Sequence, residues 1–251
     1  MAIFMFILGT ILGSFYLVVG TRLPLNEDII FSRSRCDTCK KELKWYNLIP
    51  LISYIIQKGK CSNCKSKINS EHFWVELITG FLFLLSYLYF PFGEEFLISL
   101  IIVSLMVIIF VSDFKYMIIL DSSLIISGVL IIIIKIIYSG FKAGIFSILS
   151  GISMFLIMLL IEEIGSFILK KESLGGGDIK LCFIIGLCLD IKLALVALVL
   201  SSFLALPYAF ASLHLKNKHE FPYGPFLVGA LFIVYFHIDK FSNLISFLFP
   251  Y

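Results

Sequence analysis

Long apolar runs separated by short polar turns make up most of the chain. The first run extends over residues 1–20 without a charge, and one long polar stretch follows it at 21–71. The further apolar runs lie at 73–90, 96–111, 117–137, 144–161, 179–189, 193–213 and 226–236. A helix needs about 20 apolar residues to cross the hydrocarbon core, so the pattern predicts about eight membrane segments. We expect the short run at 179–189 to be tilted or sheltered by its neighbours. Because lipid offers no partners to backbone polar groups, the predicted fold class is all-α, a polytopic membrane helix bundle.

The composition excludes most other protein classes. Of the 251 residues, 60% are hydrophobic and 15% are charged, and the mean hydropathy is +1.03. A soluble domain has about 45–50% apolar and about 25% charged residues, and a disordered chain combines low hydrophobicity with high net charge. The net charge of +3 is too small and too dispersed to indicate nucleic acid as the main partner. The lipid bilayer is therefore the predicted environment, and the cell membrane the predicted location.

Lysine and arginine predict the orientation, because they concentrate in cytoplasmic loops. Half of the 20 basic residues lie in the polar stretch: Arg22, Arg33, Arg35, Lys40, Lys41, Lys44, Lys58, Lys60, Lys65 and Lys67. The later turns predicted inside also carry basic residues: Lys115, Lys170, Lys171, Lys180, Lys216 and Lys218. Lys142 and Lys192 are mild exceptions, whereas the turn at 91–95 has no basic residue. We therefore expect the 21–71 loop to be cytoplasmic, where anionic lipid would be its natural partner.

Four cysteines of this loop form two C-x-x-C pairs with 21 residues between them. They are Cys36, Cys39, Cys61 and Cys64. Each pair can place two thiolates on one ion, and two pairs complete a tetrahedral zinc site with no open position for catalysis. Disulfides or free thiols are the alternative, which a reducing cytoplasmic location disfavours. We therefore expect a structural zinc ion that folds the loop, whereas Cys182 and Cys188 lie in an apolar run and are expected to pack in the core.

Two aspartates lie where a membrane protein should tolerate charge least. Asp113 is at the expected cytoplasmic end of the third segment, and Asp178 is at the start of the sixth, directly after the three glycines at 175–177. Consecutive glycines let the backbone approach a neighbour closely, so the two carboxylates could face each other. A pair of carboxylates in contact shares a proton, and one can then activate water while the other polarises a peptide carbonyl. The alternative is that both are interfacial charges paired with Lys115 and Lys180.

Asp121 competes with Asp113 for the role of the first carboxylate. It lies eight residues later, about 12 Å along a helix. Its alternative role is capping a helix that begins before Ser122 and Ser123. Among the other acids, Glu76 lies one turn into the second segment and receives no role.

Several motifs then follow one another along nearly the whole chain. They are Gly13-Ser14-Phe15 with Arg22-Leu23-Pro24; Ser34-Arg35-Cys36, Trp45-Tyr46-Asn47-Leu48-Ile49-Pro50 and Ser53-Tyr54; Val75-Glu76-Leu77-Ile78-Thr79-Gly80; Gly175-Gly176-Gly177-Asp178; and Pro222-Tyr223-Gly224-Pro225-Phe226. This ordered set resembles the type IV prepilin peptidases, including the competence-pilus processing enzymes of Gram-positive bacteria. The fourth motif is similar to their G-x-G-D active-site motif, which presenilin-type proteases share more distantly. A single G-x-G-D would be weak evidence, but the ordered set is specific.

The resemblance implies an intramembrane aspartic endopeptidase with Asp113 and Asp178 as its catalytic residues. It would remove the short basic leader from prepilins and pseudopilins at the cytoplasmic face, just after a glycine. The family usually has Pro-Asp after the first aspartate, where this chain has Leu120 and Asp121, which leaves the start of the next helix open.

The resemblance also implies a second activity and a division of the chain. Members of the family often N-methylate the new N-terminal residue, usually Phe, with S-adenosylmethionine, and the complete cysteine loop is consistent with that activity. No G-x-G-x-x-G fingerprint is present, so no S-adenosylmethionine-binding residue is named. The implied organisation is a first transmembrane helix at 1–20, a four-cysteine zinc-binding loop at 21–72 and a transmembrane peptidase domain at 73–251.

Two other classes of function are compatible with parts of the sequence. A membrane transporter could use Asp113 and Asp178 as a proton or cation relay, since intramembrane carboxylates often do so. A membrane-anchored zinc module could instead bind a partner through its basic loop, in which case the two aspartates would be dispensable.

Overall fold

The structure is a computed structural model that describes residues 1–29, 34–36, 38–170, 174–216 and 221–248, without the side chains of residues 169, 213–216 and 248. Arg33, Lys171 and Lys218, which the charge pattern predicts in cytoplasmic turns, lie outside the described residues. The chain divides into two compact units, Met1–Tyr89 and Phe90–Tyr251. The functional division at residues 20 and 72 stays a prediction.

The first unit is built from two long helices that pack through small residues. Its helices are α1 (Ala2–Arg22), α2 (Ile52–Ile56) and α3 (Glu71–Tyr89), with short 3₁₀ turns at Leu23–Leu25 and Trp45–Leu48. A Cβ atom added to Gly9 would lie 2.8 Å from the Thr79 carbonyl oxygen, and one added to Gly80 would lie 2.7 Å from Thr10 Cγ2. Glycines four residues apart, such as Gly9 and Gly13, let membrane helices approach this closely.

The second unit is a bundle around one short helix. Its helices are α4 (Glu94–Tyr116), α5 (Asp121–Ser139), α6 (Phe141–Leu169), α7 (Gly176–Cys188), α8 (Ile191–Lys216), α9 (Gly224–Phe236) and α10 (Ile238–Leu248). Helix α7 contacts α5, α6, α8 and α9, and its residues Leu181 and Ile185 are fully buried. Cys182 and Cys188 are buried as well, which confirms their prediction as core residues.

Two backbone oxygens at the buried C-terminal end of α7 are satisfied by serine hydroxyls of α6. The last carbonyls of a helix have no partner inside the helix, and lipid would leave them unpaired. Ser147 Oγ donates to the Leu187 carbonyl at 2.6 Å, and Ser150 Oγ donates to the Leu189 carbonyl at 3.1 Å. These hydrogen bonds explain how a short helix can end inside the bundle.

Six helices in the described part of the chain are long and apolar enough to cross a membrane: α1 with the turn after it, α3, α4, α5, α6 and α8. The bent pair α9 and α10, with an angle of 86° between them, raises the number to seven if the pair is one span. The all-α, polytopic membrane bundle is thus confirmed, with six or seven candidate spans where the sequence predicts about eight. Seven spans leave out α7 and six leave out α9 as well, because each of these helices has 13 residues, about 20 Å of helix, which is shorter than the hydrocarbon core.

Candidate active site and metal centre

Asp113 lies in the last turn of α4, where its side chain is buried. Its Oδ2 atom accepts a hydrogen bond from the backbone N–H of Gly224 at 3.1 Å. Gly224 is the first residue of α9, so this N–H is one of the unpaired donors at a helix start. The contact holds the carboxylate at the point where α4 and α9 meet.

Asp178 lies in the first turn of α7, three residues after the N-cap residue Gly175. The partial positive charge of a helix start favours a carboxylate there. Its Oδ1 atom is buried and has no hydrogen-bond partner within the part of the chain that the structure describes. Gly177, the residue before Asp178, and Gly224, whose N–H binds Asp113, both pack on Ile119, so the segments that carry the two carboxylates, 65 positions apart in sequence, come together at this residue.

Two glycines allow the helices of this site to close around Ile119, which lies between α4 and α5. A Cβ atom on Gly177 would lie 2.9 Å from Ile119 Cβ. On Gly224, it would lie 2.8 Å from Ile119 Cδ1 and 2.9 Å from Asp113 Oδ2. Contacts under 3.0 Å essentially never occur for a real Cβ, so both positions require glycine if the geometry is to stay as it is.

Asp121, the rival of Asp113 in the sequence, has a different environment. It is exposed and is the first residue of α5, whose N-cap residue is Leu120. Lys180 Nζ lies 2.8 Å from both of its carboxylate oxygens. Lys180 therefore pairs with Asp121, whereas the alternative interpretation of the sequence paired it with Asp178.

The four loop cysteines come together as the spacing predicts. The sulfur atoms of Cys36, Cys39, Cys61 and Cys64 all lie within 4.8 Å of one another. Cys36 Sγ and Cys64 Sγ are 3.8 Å apart, and zinc–sulfur bonds of about 2.3 Å in a tetrahedron require sulfur separations of about 3.8 Å. The donor set therefore fits a tetrahedral zinc ion.

Each cysteine pair has the same local fold. The N–H of the first cysteine donates to the carbonyl five residues later, from Cys36 to Lys41 at 3.1 Å and from Cys61 to Ser66 at 2.8 Å. An isolated β-bridge flanks each turn, Arg35 with Glu42 and Lys60 with Lys67. This local repeat, which the sequence analysis missed, presents two thiols from each turn to the same point.

At Cys36 and Cys64, hydrogen bonds favour the thiolate form, which is the form that binds metal. Backbone hydrogen bonds from Cys39 and Thr38 lower the pKa of the Cys36 thiol to about 6. The hydroxyl of Ser66, 3.0 Å from Cys64 Sγ, lowers the pKa of the Cys64 thiol. Cys36 and Cys64, two of the four predicted ligands, therefore lose their protons more readily than an ordinary thiol.

Glu76, for which no role was predicted, anchors this loop to α3. Its side chain is buried, and Oε2 accepts the N–H of Leu51 at 2.8 Å. Leu51 has a positive φ of 59°, a conformation that is unfavourable for a bulky residue. The buried carboxylate therefore stabilises a strained turn in the middle of the loop.

Two residues at the site were missed by sequence reasoning. The Gly224 N–H, which contacts Asp113, lies in the P-x-G-P-F segment, so the motif marked the position but not its role. Ile119 carried no signal, since it is one of many isoleucines in an apolar run.

Comparisons with known proteins cover both units. Residues 7–90 match the model of the Bacterial Peptidase A24 N-terminal domain, and residues 100–210 match that of the Type IV leader peptidase family. A Prepilin leader peptidase/N-methyltransferase from Bacillus subtilis is 32% identical over 97% of this chain and 96% of its own length. A protein of the same name from Vibrio cholerae is 30% identical over 92% of this chain and 95% of its own length. No solved structure matches the chain.

Proposed function

Because the chain belongs to the type IV leader peptidase family, we propose that it removes the leader peptide from prepilins and pseudopilins and N-methylates the new N-terminal residue. The observation that supports the peptidase part is that Ile119 joins the two segments that carry the aspartates. Gly224, whose N–H binds Asp113 at the end of α4, and Gly177, next to Asp178 at the start of α7, both pack closely on Ile119. The family models and the relatives that match the chain give no support to a transporter function.

The two carboxylates supply what peptide hydrolysis needs. One accepts a proton from water as the water oxygen attacks the scissile carbonyl carbon, and the other donates a proton to the carbonyl oxygen. The tetrahedral intermediate then collapses, the C–N bond breaks, and the leaving nitrogen takes up a proton. The unpaired Oδ1 of Asp178 suits such an exchange, because no competing donor of the described chain occupies it. A coupled pair titrates as a unit, so neither aspartate is assigned alone as the base.

The thiolates of Cys36, Cys39, Cys61 and Cys64 would hold a structural zinc ion. Four sulfur ligands complete the coordination, so the ion would join the two turns and stabilise the loop. This part of the proposal is supported by the mutual distances of the sulfur atoms.

The proposed membrane orientation and methyl donor rest on the sequence. The basic residues of the 21–71 stretch favour a cytoplasmic loop beside anionic lipid, and the aspartates would lie at the same membrane face. The donor would be S-adenosylmethionine, for which no residue is assigned. We propose more narrowly that the substrates include competence pseudopilins, and the assay below tests this with one of them as the substrate.

Co-expression with a prepilin, followed by mass analysis of its N-terminus, tests both activities together. The wild-type protein should yield a product that lacks the leader and carries a methyl group. Asp113→Asn and Asp178→Asn should each leave the prepilin uncut while the protein still enters the membrane, and the exposed Glu163→Gln serves as the control. An uncut prepilin with the wild-type protein would contradict the function, and cleavage by either Asn variant would contradict the dyad.

A further inference from the structure

One ion pair joins the two chain segments that carry the aspartates. The ammonium of Lys180 lies 2.8 Å from both oxygens of Asp121. Lys180 is two residues after Asp178 in the first turns of α7, and Asp121 opens α5 eight residues after Asp113. The pair therefore bridges the start of α7 and the end of the turn that follows α4.

Close packing accompanies the ion pair at the same junction. Gly177, between Asp178 and the helix start, lies so close to Ile119 that a Cβ would be 2.9 Å from Ile119 Cβ. Ile119 precedes Asp121 by two residues, so the apolar contact and the ion pair join the same two segments. Farther along the two helices, a Cβ on Gly128 of α5 would lie 3.1 Å from Ile184 Cδ1 of α7, which continues the contact.

We propose that Asp121 and Lys180 are positioning residues, whose ion pair holds the first turn of α7 against the start of α5 and so keeps Asp178 in register with Asp113. This inference rests on the proposed peptidase function. The pair does not touch the scissile peptide in this scheme. It restrains the separation of the two carboxylates, since Lys180 lies on the same helix as Asp178 and Asp121 follows Asp113 after the short turn that joins α4 to α5.

The ion pair can position the two helix starts even though it contributes little to the free energy of unfolding. Both side chains are about half exposed, and exposed pairs in water contribute little to global stability. The symmetric contact with two oxygens restricts sliding as well as separation of the two helix starts. Catalysis is sensitive to small displacements, since about 1 Å of misplacement can cost about 100-fold in rate. A weak pair can therefore matter for the rate while it hardly affects unfolding.

The test uses purified full-length protein in lipid nanodiscs with a type IV prepilin that retains its leader and apolar segment. Asp121→Asn and Lys180→Met should each lower kcat about tenfold, for a displacement of about half an ångström, with KM changed less than about twofold. The kcat of the double variant should be no lower than that of either single variant, because each substitution removes the same ion pair. The reversed pair, D121K with K180D, should recover at least half of the lost rate on a logarithmic scale. Lys142→Gln with Glu163→Gln, two exposed charges of α6, is the matched control.

Three results would overturn the inference, and they differ from failure of the proposed function. Single variants of Asp121 or Lys180 that cleave at the rate of the control would exclude the positioning role, as would additive losses of kcat in the double variant. A reversed pair without recovery would mean that the charge of Lys180 matters for its own sake and not as a partner of Asp121. In each case the wild-type protein still cleaves and Asp113→Asn does not. If the wild-type protein fails to cleave, the proposed function fails first.

Discussion

Replacing Gly224 by alanine perturbs the proposed active site through a single methyl group. The new Cβ would lie 2.9 Å from Asp113 Oδ2 and 2.8 Å from Ile119 Cδ1. Ile119 Cδ1 is the free end of a flexible side chain and can rotate away, whereas the carboxylate accepts the N–H of the substituted residue itself. Ordinary contact begins at 3.4 Å, so the carboxylate must retreat by about 0.5 Å, the difference between 3.4 and 2.9 Å.

The expected magnitude follows from that displacement. If about 1 Å of misplacement costs about 100-fold in rate, about 0.5 Å costs about tenfold, or about 1.4 kcal/mol in activation free energy. The net loss of stability should be about 0–2 kcal/mol, because overpacking costs about 1–3 kcal/mol and the change from glycine to alanine in a helix returns up to about 1 kcal/mol. The variant should therefore fold and bind substrate, yet turn over slowly.

The assay measures prepilin cleavage by purified protein, as the rate at which the leader-free product appears. Gly229→Ala is the matched control, since Gly229 lies in the same helix and a Cβ there meets nothing within 4 Å. The control should keep the wild-type rate. Equal rates for Gly224→Ala and Gly229→Ala would refute the assignment of the Gly224 N–H as the anchor of a catalytic carboxylate.

The remaining predictions concern the other close contacts and the metal centre. Gly177→Ala should lower the cleavage rate about tenfold, because its Cβ would lie 2.9 Å from the branched Ile119 Cβ. Gly176→Ala is the control, since a Cβ there meets nothing within 4 Å and cleavage should stay normal. Equal rates for the two variants would contradict the packing argument. Gly13→Ala, whose Cβ would lie 2.8 Å from Thr79 Cβ, should destabilise the first unit by about 1–3 kcal/mol, seen as a lower thermal midpoint. Cys61→Ser should abolish zinc in elemental analysis of the purified protein, whereas Cys182→Ala should not; a zinc-free wild-type protein would contradict the metal site.

Features that depend on one short segment of the chain could be predicted, because neighbouring residues alone determine them. The helical membrane fold follows from run length, and the cysteine cluster follows from two short spacings that each constrain a turn. Asp113 and Asp178 stood out because charge is costly in an apolar setting. The structure brings the segments that carry them together around Ile119, while their catalytic role stays a proposal.

Features that depend on distant partners could not be predicted. The sequence suggested Asp178 as the partner of Lys180, yet residues two apart on a helix point to different faces, and Lys180 instead reaches Asp121, 59 residues away. The Gly224 N–H carries no sequence signature as a hydrogen-bond donor, since every non-proline residue has one. The sequence predicted that the short run of α7 would be sheltered, but not that Ser147 and Ser150 of α6 satisfy the carbonyls at its end.

The two cysteine turns determine where the length of the loop between them can vary. An ion held by both turns would close the 21 residues from Lys40 to Lys60 into a ring, and the entropy of closing a flexible ring grows only slowly with length. Doubling its length would cost about 0.6 kcal/mol, so insertions should be tolerated where the ring touches little else. The bond from Leu51 to Glu76, which lies outside this ring on α3, anchors the ring near its middle. Natural length variation should therefore concentrate on either side of Leu51, with the Leu51 turn itself kept constant.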